Sequence, residues 1–265
     1  MKQYYSQSGE DFLLWTLFDK KSGPGVFIEV GALDGIRFSN TYSFEREGWK
    51  GVCVEPHPDY FPFLKANRPG SVCVQAAASK EKGQIEFYAE PRGEFSTTVR
   101  ENVENEVLAK KMAGYKKVVA STLPLDFVLE NAGISAPIDI VSIDVEGAEL
   151  DVLAGFSLSV YQPYVLVIEA NNEVANAQID GYMHRNGYYK AGRLGRSNNF
   201  YCRSFFGAIK LAFKPIRCTV FVHELPVGVK ANSTNEILLP SLIQQSWQSF
   251  FKRVVRRINN WRLIR

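Results

Sequence analysis

Short runs rich in β-branched residues alternate along this chain with longer amphipathic segments, and this alternation narrows the choice of folds more than any other feature. Apolar runs of this length are typical of parallel strands that are buried on both faces. Strands that alternate with helices predict right-handed βαβ units and therefore a doubly wound α/β sheet. The predicted strands are VFIEV (26–30), GVCVE (51–55), SVCVQ (71–75), IDIVSID (138–144) and YVLVIEA (164–170).

The segments around these strands complete the predicted organisation. GQIEFYAE (83–90) reads as a further strand, and 188–204 reads as a closing β-hairpin. The polar stretch 91–118 is interpreted as a lid or insertion. Helices are predicted near 12–18, 40–47, 60–67, 125–130, 148–153 and 174–187. We expect one domain over 1–204 and a C-terminal extension over 205–265.

Composition excludes several classes of protein. A hydrophobic content of 46% in 265 residues is ample for a packed core, so disorder is not expected. The net charge of +3 is small and gives no sign of a nucleic-acid partner. The four cysteines form no CxxC pair, which favours reduced thiols in a cytoplasmic protein. The N-terminus has no apolar signal-peptide region, and no run reaches the roughly 20 apolar residues of a membrane span.

The last segment, 241–265, has the pattern of a basic amphipathic helix. Apolar residues, among them Trp247 and Trp261, recur at helical spacing opposite a basic face. Such a helix could lie on the inner face of a membrane. It could equally pack on the rest of the protein or on a second copy in a homo-oligomer, with its arginines in solvent. The sequence leaves both alternatives open.

Two successive predicted strands carry a carboxylate at or next to their carboxyl ends. Ligands of open parallel sheets bind outside the carboxyl ends of the strands. The pattern Glu29-x-Gly31-x-x-x-Gly35 lies at such an end, where its glycines allow a tight turn and close approach of a ligand. Glu55 ends the next strand, about 20 residues after the turn, where a carboxylate can accept hydrogen bonds from both hydroxyls of a ribose.

The acids in this turn argue against a phosphate-bearing ligand. A pyrophosphate site would require G-x-G-x-x-G without an acid in the loop, whereas Glu29 and Asp34 would repel phosphate. A ligand with an ammonium and a sulfonium but no phosphate, such as S-adenosylmethionine, fits better. A dehydrogenase with a similar sheet is kept as an alternative.

Several motifs in order resemble the FkbM family of class I S-adenosylmethionine-dependent methyltransferases. The resemblance extends over 5–203. It implies a Rossmann-like seven-stranded sheet and O-methyl transfer to a hydroxyl of a sugar in a glycan, glycolipid or related natural product. The motifs are YSQSGED (5–11), FIEVGALDG (27–35), SNTYSFEREGWKGVCVEPHPDYFPFLKANR (39–68), IDIVSIDVEGAELDVL (138–153), LVIEAN (166–171) and LGRSNNFY (194–201).

The same resemblance implies a cofactor site at the ends of the first four strands. Residues of the glycine turn would line the methionine portion, Glu55 would hold the ribose, and Asp144 would face the methyl group. Asn40 and Thr41 would contact the cofactor or orient the acceptor. The complete set is Glu29, Gly31, Ala32, Gly35, Asn40, Thr41, Glu55, Pro56, Ala77, Ala78 and Asp144.

Acidic residues near the last two core strands are the candidates for catalysis. Asp144, Glu146 or Glu169 could act as a general base, although Glu146 could also serve only the dipole of the following helix. Asp144, Glu169 and Asn171 also form a set of hard oxygen donors suited to Mg²⁺, similar to metal-dependent O-methyltransferases. Both mechanisms are left open.

The expected acceptor is a saccharide or glycolipid, with no nucleic-acid partner. A second reading from another class is a non-catalytic cofactor-binding or scaffold subunit of a glycan-assembly complex. The intact glycine turn and Asp144 argue against that reading.

Overall fold

The computed structural model describes residues 3–99, 115–195 and 197–212, and it gives backbone positions for 216–220 and 235–239. Its helices are α1 (Glu10–Leu17), α2 (Tyr42–Glu45), α3 (Phe61–Asn67), α4 (Leu125–Asn131), α5 (Glu149–Ala154), α6 (Leu158–Tyr161), α7 (Glu173–Arg185) and α8 (Phe205–Ala212). Its strands are β1 (Val26–Val30), β2 (Lys50–Val54), β3 (Ser71–Val74), β4 (Ala77–Ala78), β5 (Gly83–Ala89), β6 (Lys116–Leu123), β7 (Ile140–Ile143), β8 (Val165–Glu169), β9 (Tyr189–Leu194), β10 (Asn198–Cys202), β11 (Ile216–Val220) and β12 (Asn235–Leu239).

Seven strands form the main sheet, in the order β3-β2-β1-β7-β8-β10-β9. Five adjacent strands of this sheet, β3, β2, β1, β7 and β8, are mutually parallel. Strand β10 runs antiparallel to both of its neighbours, β8 and β9. The strand order reverses between β1 and β7, and open sheets of this kind bind their ligands at the carboxyl ends of the strands beside such a reversal. The predicted Rossmann-like, doubly wound sheet of seven strands is confirmed.

Alternate residues of the central strands enter two separate cores. Phe27 of β1 packs with α1 and α8 on one face, whereas Ile28 packs with α4, α5 and α7 on the other face. Such strands are buried on both sides, which explains why they read as continuous apolar runs in the sequence. The central strands therefore have both faces covered, and their carboxyl ends border the cavity described below.

A small second sheet, in the order β4-β6-β5, lies outside the main sheet. Strand β5 was predicted, but β6 was not, because KKVVASTL begins with two lysines and follows a polar stretch. Residues 116–118, which we assigned to a lid or insertion, belong to this strand, and that part of the prediction is wrong. The remainder of the predicted insertion falls partly on 100–114, outside the described residues.

The packed core continues beyond residue 204, where we placed the domain boundary. Ala208 and Leu211 of α8 are buried in the same core as Leu13 and Leu14 of α1. The backbones of β11 and β12 form an antiparallel pair. The predicted amphipathic helix over 241–265 lies outside the described residues. Within the described part of the chain, no helix is long and apolar enough to cross a bilayer.

Cysteine placement agrees with the predicted thiol state in the part of the chain whose side chains are described. Cys53 and Cys202 are buried and Cys73 is half-buried, and none of the three forms a disulfide.

Candidate functional site

A cavity opens at the carboxyl ends of β1, β2, β7 and β8. The loop 93–98 lies across it from the β5 side, and Gln7 reaches it from the N-terminal segment. Gly35, Thr41 and Asn171 are not among its wall residues. The predicted site residues on the wall are Glu29, Gly31, Ala32, Asn40, Glu55, Pro56, Ala77, Ala78, Asp144, Glu146 and Glu169.

Gly31 allows the β1 turn to pass directly against the end of β7. Its φ of 81° lies in the left-handed region, and a Cβ at this position would come within 1.7 Å of the backbone oxygen of Asp144. The amide of Gly31 donates to the Val54 carbonyl at 2.9 Å, and the amide of Asp144 donates to the Val30 carbonyl at 3.0 Å. The turn thus brings the ends of three strands together, and only glycine fits there.

Glu55 is held by the same turn. Its Oε2 accepts a 2.7 Å hydrogen bond from the amide of Leu33, and its Oε1 accepts a 2.8 Å bond from the amide of His57. Each oxygen keeps a further lone pair, so the carboxylate can still accept from a ligand hydroxyl. Burial raises the pKa of Glu55 to about 7, despite these two hydrogen bonds.

Glu29 is engaged within the protein by a network that the sequence did not indicate. Its carboxylate accepts from Ser39 Oγ at 2.9 Å, the Asn40 amide at 2.9 Å and Thr41 Oγ1 at 2.7 Å. It also forms a 2.8 Å ion pair with the Arg68 guanidinium, which is fully buried. Glu29 therefore fixes the loop after the glycine turn, and it is also one of the residues that line the cavity.

Arg68 ties this loop to α2 and α3. Its Nε forms a 2.6 Å ion pair with Glu45, its Nη2 donates to Thr41 Oγ1 at 2.7 Å, and its Nη1 donates to the Gly35 carbonyl at 3.0 Å. Gly35 is required by this packing, because a Cβ there would lie 2.6 Å from Arg68 Cγ. Thr41 and Gly35 therefore do not line the cavity, but they support the residues that do through their contacts with Arg68. No signal in a single sequence identifies Arg68.

Asn40 links the glycine turn to the part of the cavity at the carboxyl end of β7. Its side chain is buried, and its Nδ2 donates to Ser142 Oγ of β7 at 3.0 Å. Ser142 precedes Asp144 by two residues and also lines the cavity. Asn40 is therefore placed to hold the position of β7 relative to the turn.

Asp144, Glu146 and Glu169 converge at this end. One carboxylate oxygen from each lies within 4.8 Å of the other two. Glu146 has a φ of 55°, an uncommon conformation for a residue other than glycine, and Thr97 Oγ1 donates to its carbonyl at 2.8 Å. The Nδ2 of Asn171 donates to Glu146 at 2.9 Å and to Glu169 at 3.0 Å. Asn171 therefore braces the cluster from outside the cavity wall.

The surroundings of this acidic cluster favour protonation. Desolvation by the surrounding protein is the main cause that raises the pKa of Asp144 well above its usual range, and the neighbouring Glu169 and Glu146 carboxylates add to it. Asp144 is nevertheless accessible from the cavity. Burial, together with Glu169 and Glu149, raises the pKa of Glu146 to about 8. Burial raises the pKa of Glu149 to about 7, and this side chain accepts a 2.9 Å hydrogen bond from the Gly147 amide. Carboxyls with raised pKa values are typical of sites that transfer protons.

Two phenylalanines and an arginine on the wall were missed by sequence reasoning. Arg37 is paired with Glu94 at 3.3 Å and with Asp34 at 3.8 Å. Phe38 and Phe95 line the cavity with much of each side chain exposed. Exposed aromatic residues in loops carry no period that a sequence pattern could detect.

A serine side chain bonds to backbone amides at the start of α1. Gly9 precedes the helix, and Ser6 Oγ accepts from the amides of Gly9 at 3.2 Å and Asp11 at 3.3 Å. Asp11 in turn accepts from Ser6 Oγ at 2.5 Å and from the Tyr5 amide at 2.7 Å. Ser6 therefore accepts from amides at the start of α1 although it precedes Gly9 by three residues, because the chain folds back onto Asp11 before the helix begins.

The sequence profile of one family matches this chain, and its description is "Methyltransferase FkbM domain". The match covers residues 29–189, more than half of the chain, and contains the glycine turn, Glu55 and the acidic cluster. The comparison with curated proteins found no matching relative.

Several solved structures are similar to the chain. One is described as a putative RNA methyltransferase from Pyrococcus horikoshii (12% identity, 74% of this chain and 82% of that chain, TM-score 0.41). Another is the precorrin-6y C5,15-methyltransferase from Geobacter metallireducens (13% identity, 74% and 87%, TM-score 0.40). A third is a methyltransferase from Geobacter sulfurreducens (11% identity, 75% and 80%, TM-score 0.42). Identities and TM-scores this low carry no information on what this chain methylates.

Proposed function

This chain belongs to the FkbM methyltransferase family, and we propose that it transfers the methyl group of S-adenosylmethionine to a hydroxyl of a sugar in a glycan, glycolipid or related natural product. The convergence of Asp144, Glu146 and Glu169 within 4.8 Å at the end of the cavity carries this proposal. A hydroxyl is a poor nucleophile until its proton is removed, and three carboxyls at one point provide an acceptor for that proton. The sugar itself comes from the family resemblance.

The cavity suits S-adenosylmethionine on chemical grounds. Gly31 leaves the turn without a side chain, and Glu55 presents a carboxylate that can accept from ribose hydroxyls. Ala77 and Ala78 leave a small apolar wall for an adenine. When bound, the cofactor supplies a methyl group on a positively charged sulfur. The residues of the turn and of the β7 end would orient it, and positioning alone can contribute much of the rate.

The acidic cluster would hold and move the proton of the acceptor. Oxygens of Asp144 and Glu169 lie within 4.8 Å of each other, and burial together with the neighbouring carboxylates raises the pKa of Asp144 well above its usual range, which favours its protonated form. A carboxylate of the cluster would accept the hydroxyl proton of the acceptor, and the cofactor, when bound, would supply the methyl group that the acceptor oxygen takes up. Glu146, fixed by Thr97 and Asn171, is placed to act as this base.

A divalent cation is the second candidate for activating the hydroxyl. Asp144, Glu146 and Glu169 could each supply one oxygen, and Mg²⁺ prefers such ligands. Such an ion would acidify the acceptor hydroxyl. Asn171, which we named as a ligand, presents its amide nitrogen to Glu146 and Glu169, so its oxygen could serve a metal only after the amide is turned over. Rates measured in EDTA and after addition of Mg²⁺ distinguish the two mechanisms.

We also propose a cytoplasmic location with contact between 241–265 and the inner face of a membrane. The basic amphipathic pattern of that segment supports it. Flotation with anionic vesicles, before and after deletion of 241–265, tests this contact.

The test of activity is transfer of labelled methyl groups from S-adenosylmethionine to fractionated host saccharides and glycolipids. We expect transfer to a saccharide fraction, and a loss of about 100-fold or more in Asp144→Asn and Glu146→Gln. Glu130→Gln, an exposed residue of α4, is the matched control. Binding of S-adenosylhomocysteine is measured for each variant by thermal shift.

Two outcomes would contradict the proposal. Binding of S-adenosylhomocysteine without transfer to any fraction would favour a non-catalytic subunit. Transfer to a non-saccharide fraction would support the methyltransferase activity but show that the acceptor is not a sugar.

A further inference from the structure

We propose that Gln7 binds hydroxyls of the acceptor, and that the N-terminal segment 5–9 is a strap that holds this side chain at the end of the cavity where the acidic cluster lies. This inference rests on the proposed function, because it assigns a binding residue to the acceptor of that reaction. It gives a role to YSQSGED (5–11), a motif that the proposed cofactor binding and proton transfer do not use.

The strap is anchored on one side of the cavity by the loop after the glycine turn. Ser6 forms a parallel bridge with Phe38, whose φ of 60° is an outlier for a bulky residue. Ser6 is buried, and its Oγ donates to Asp11 at 2.5 Å. The Tyr5 amide donates to the same carboxylate at 2.7 Å. The backbone that leads into Gln7 is therefore held by the protein itself.

Strand β10 supplies the other anchor of the strap. Glu10, the first residue of α1, accepts a 2.8 Å hydrogen bond from Asn198 Nδ2, and its second oxygen accepts from the Ser8 amide at 2.9 Å. Asn198 is the register partner of Glu169, a member of the acidic cluster. The strap thus connects the loop after the glycine turn with the strand that pairs with β8.

Gln7 lies between these two anchors and is a residue of the cavity wall. Ser6 before it and Gly9 after it are buried, whereas Gln7 itself is exposed. Its carboxamide forms no hydrogen bond with any other residue in the described part of the chain. A side chain that is available for bonding, on a backbone that is already fixed, binds a ligand at a low cost in conformational entropy.

The order of the strands indicates which ligand Gln7 meets. Glu55 and Ala77, proposed for the ribose and the adenine, follow β2 and β3 on one side of β1. The β10 anchor lies on the other side, beyond β7 and β8, whose ends carry the acidic cluster. The acceptor hydroxyl must reach that cluster to give up its proton. Gln7 therefore borders the space for the acceptor, and the adenosine would lie at the opposite end.

A carboxamide suits an acceptor with adjacent hydroxyls. Its oxygen accepts hydrogen bonds and its NH₂ group donates them, so one glutamine can bind two neighbouring hydroxyls of a sugar ring. It does so without adding a charge to the site. Pockets that orient small ligands commonly use a few placed polar groups of this kind. A ring held in this way would present a further hydroxyl to the acidic cluster.

Steady-state kinetics separate acceptor binding from the chemical step, with the saccharide fraction that takes up labelled methyl groups as the substrate. Gln7→Met removes both hydrogen-bonding groups, and Gln7→Glu keeps oxygens but loses the N–H donors. We expect each to raise the KM for the saccharide about 10-fold and to change kcat less than about 3-fold. Gln84→Met, at an exposed glutamine of β5 away from the cavity wall, is the matched control and should leave both constants unchanged.

Binding of S-adenosylhomocysteine shows that the variants fold and retain the cofactor site. Its affinity, measured by calorimetric titration, should change less than about 2-fold in Gln7→Met, Gln7→Glu and Gln84→Met.

NMR supplies a readout that does not depend on turnover. The side-chain amide signal of Gln7 is identified in ¹⁵N-labelled protein by its loss in Gln7→Met. The probes are the methyl glycosides of glucose, galactose, mannose and rhamnose, each added to the full chain saturated with S-adenosylhomocysteine. We expect at least one glycoside to shift the Gln7 signal, while the Gln84 signal stays in place.

Three results would overturn this role for Gln7. If Gln7→Met weakens binding of S-adenosylhomocysteine as strongly as it raises KM, Gln7 contacts the cofactor. If KM is unchanged in Gln7→Met and no glycoside shifts the Gln7 signal, the strap does not bind the acceptor, and the proposed function stands. If S-adenosylhomocysteine binds but no saccharide fraction is methylated, the saccharide acceptor itself is wrong, and the role of Gln7 falls with it.

Discussion

The guanidinium of Arg68 forms a 2.8 Å ion pair with the carboxylate of Glu29, and both side chains are buried beneath the glycine turn. A buried ion pair costs much of its attraction in desolvation, so its main effect is seen when one partner is removed. Removal of the Arg68 guanidinium would leave the Glu29 carboxylate without its cation. It would also remove the contacts of Arg68 with Glu45, Thr41 and the Gly35 carbonyl.

We therefore expect Arg68→Met to lower the free energy of unfolding by about 3–5 kcal/mol and to weaken binding of S-adenosylhomocysteine, because the loop after the turn loses its anchor. Urea unfolding and calorimetric titration measure the two effects. Arg68→Lys should recover little, since one ammonium cannot reproduce the guanidinium geometry. Arg203→Ala, at an exposed arginine that donates to Gln162, is the control and should stay within about 0.5 kcal/mol of wild type. Equal stability of Arg68→Met and this control would refute the anchoring role.

Replacement of Gly31 by alanine should disrupt the junction of β1 and β7. Gly31 and Gly133 both have positive φ, but a Cβ would meet the Asp144 carbonyl only at Gly31, while the space at Gly133 is open. Gly133→Ala should therefore cost about 1–2 kcal/mol from backbone strain alone. Gly31→Ala should cost more and weaken binding of S-adenosylhomocysteine at least about 10-fold. Thermal unfolding and titration give both values, and equal losses in the two variants would show that the close approach is unimportant.

Stability should fall as the pH rises from about 5 to about 8. Burial raises the pKa values of Glu55 and Glu149 from 4.5 to about 7, so the folded protein binds more protons than the unfolded chain between these values. Proton uptake by the folded state stabilises it at low pH, and this stabilisation is lost through pH 7. Glu149→Gln should remove about 2–3 kcal/mol of that pH dependence in urea unfolding. Glu130→Gln serves as the control, and an unchanged slope in Glu149→Gln would contradict the prediction.

Methyl transfer should increase with pH up to about 8 if Glu146 is the base. Burial and neighbouring carboxylates raise the pKa of Glu146 to about 8, and the hydrogen bond from Asn171 opposes this rise. Asn171→Ala should therefore move the rising limb of the rate profile to higher pH. Titration of ¹³C-labelled glutamate by NMR measures the same shift without an acceptor.

Asn131→Ala, an exposed residue of α4 whose Nδ2 donates to the Phe127 carbonyl, is the control for this shift. If the rising limb of the rate profile moves to lower pH in Asn171→Ala, or moves equally in both variants, the proposed effect of Asn171 on the pKa of Glu146 is wrong.

Local pattern determined the main sheet and much of the cavity wall. Apolar runs such as 26–30 and 164–170 predict buried parallel strands, because the pattern lies entirely within the residues of the strand itself and does not depend on distant partners. Glycines and acids at known offsets from those strands predict the ligand edge, and Gly31, Glu55 and Asp144 do lie on the cavity wall. Strand β6 escaped prediction because its pairing with β5, rather than its polar sequence, makes it a strand.

Only the tertiary structure determined what each acid contacts. Glu29 points into the helix layer because it is the residue before the end of β1 and shares the face of Phe27, and there it meets Arg68 from 39 residues away. Glu55 follows the end of its strand and stays at the edge, where its oxygens meet Leu33 and His57. The sequence alone thus determined that two carboxylates stand at neighbouring strand ends. Long-range packing decided that one anchors a loop within the protein while the other faces the cavity, because side-chain direction and distant partners exist only once the chain is folded.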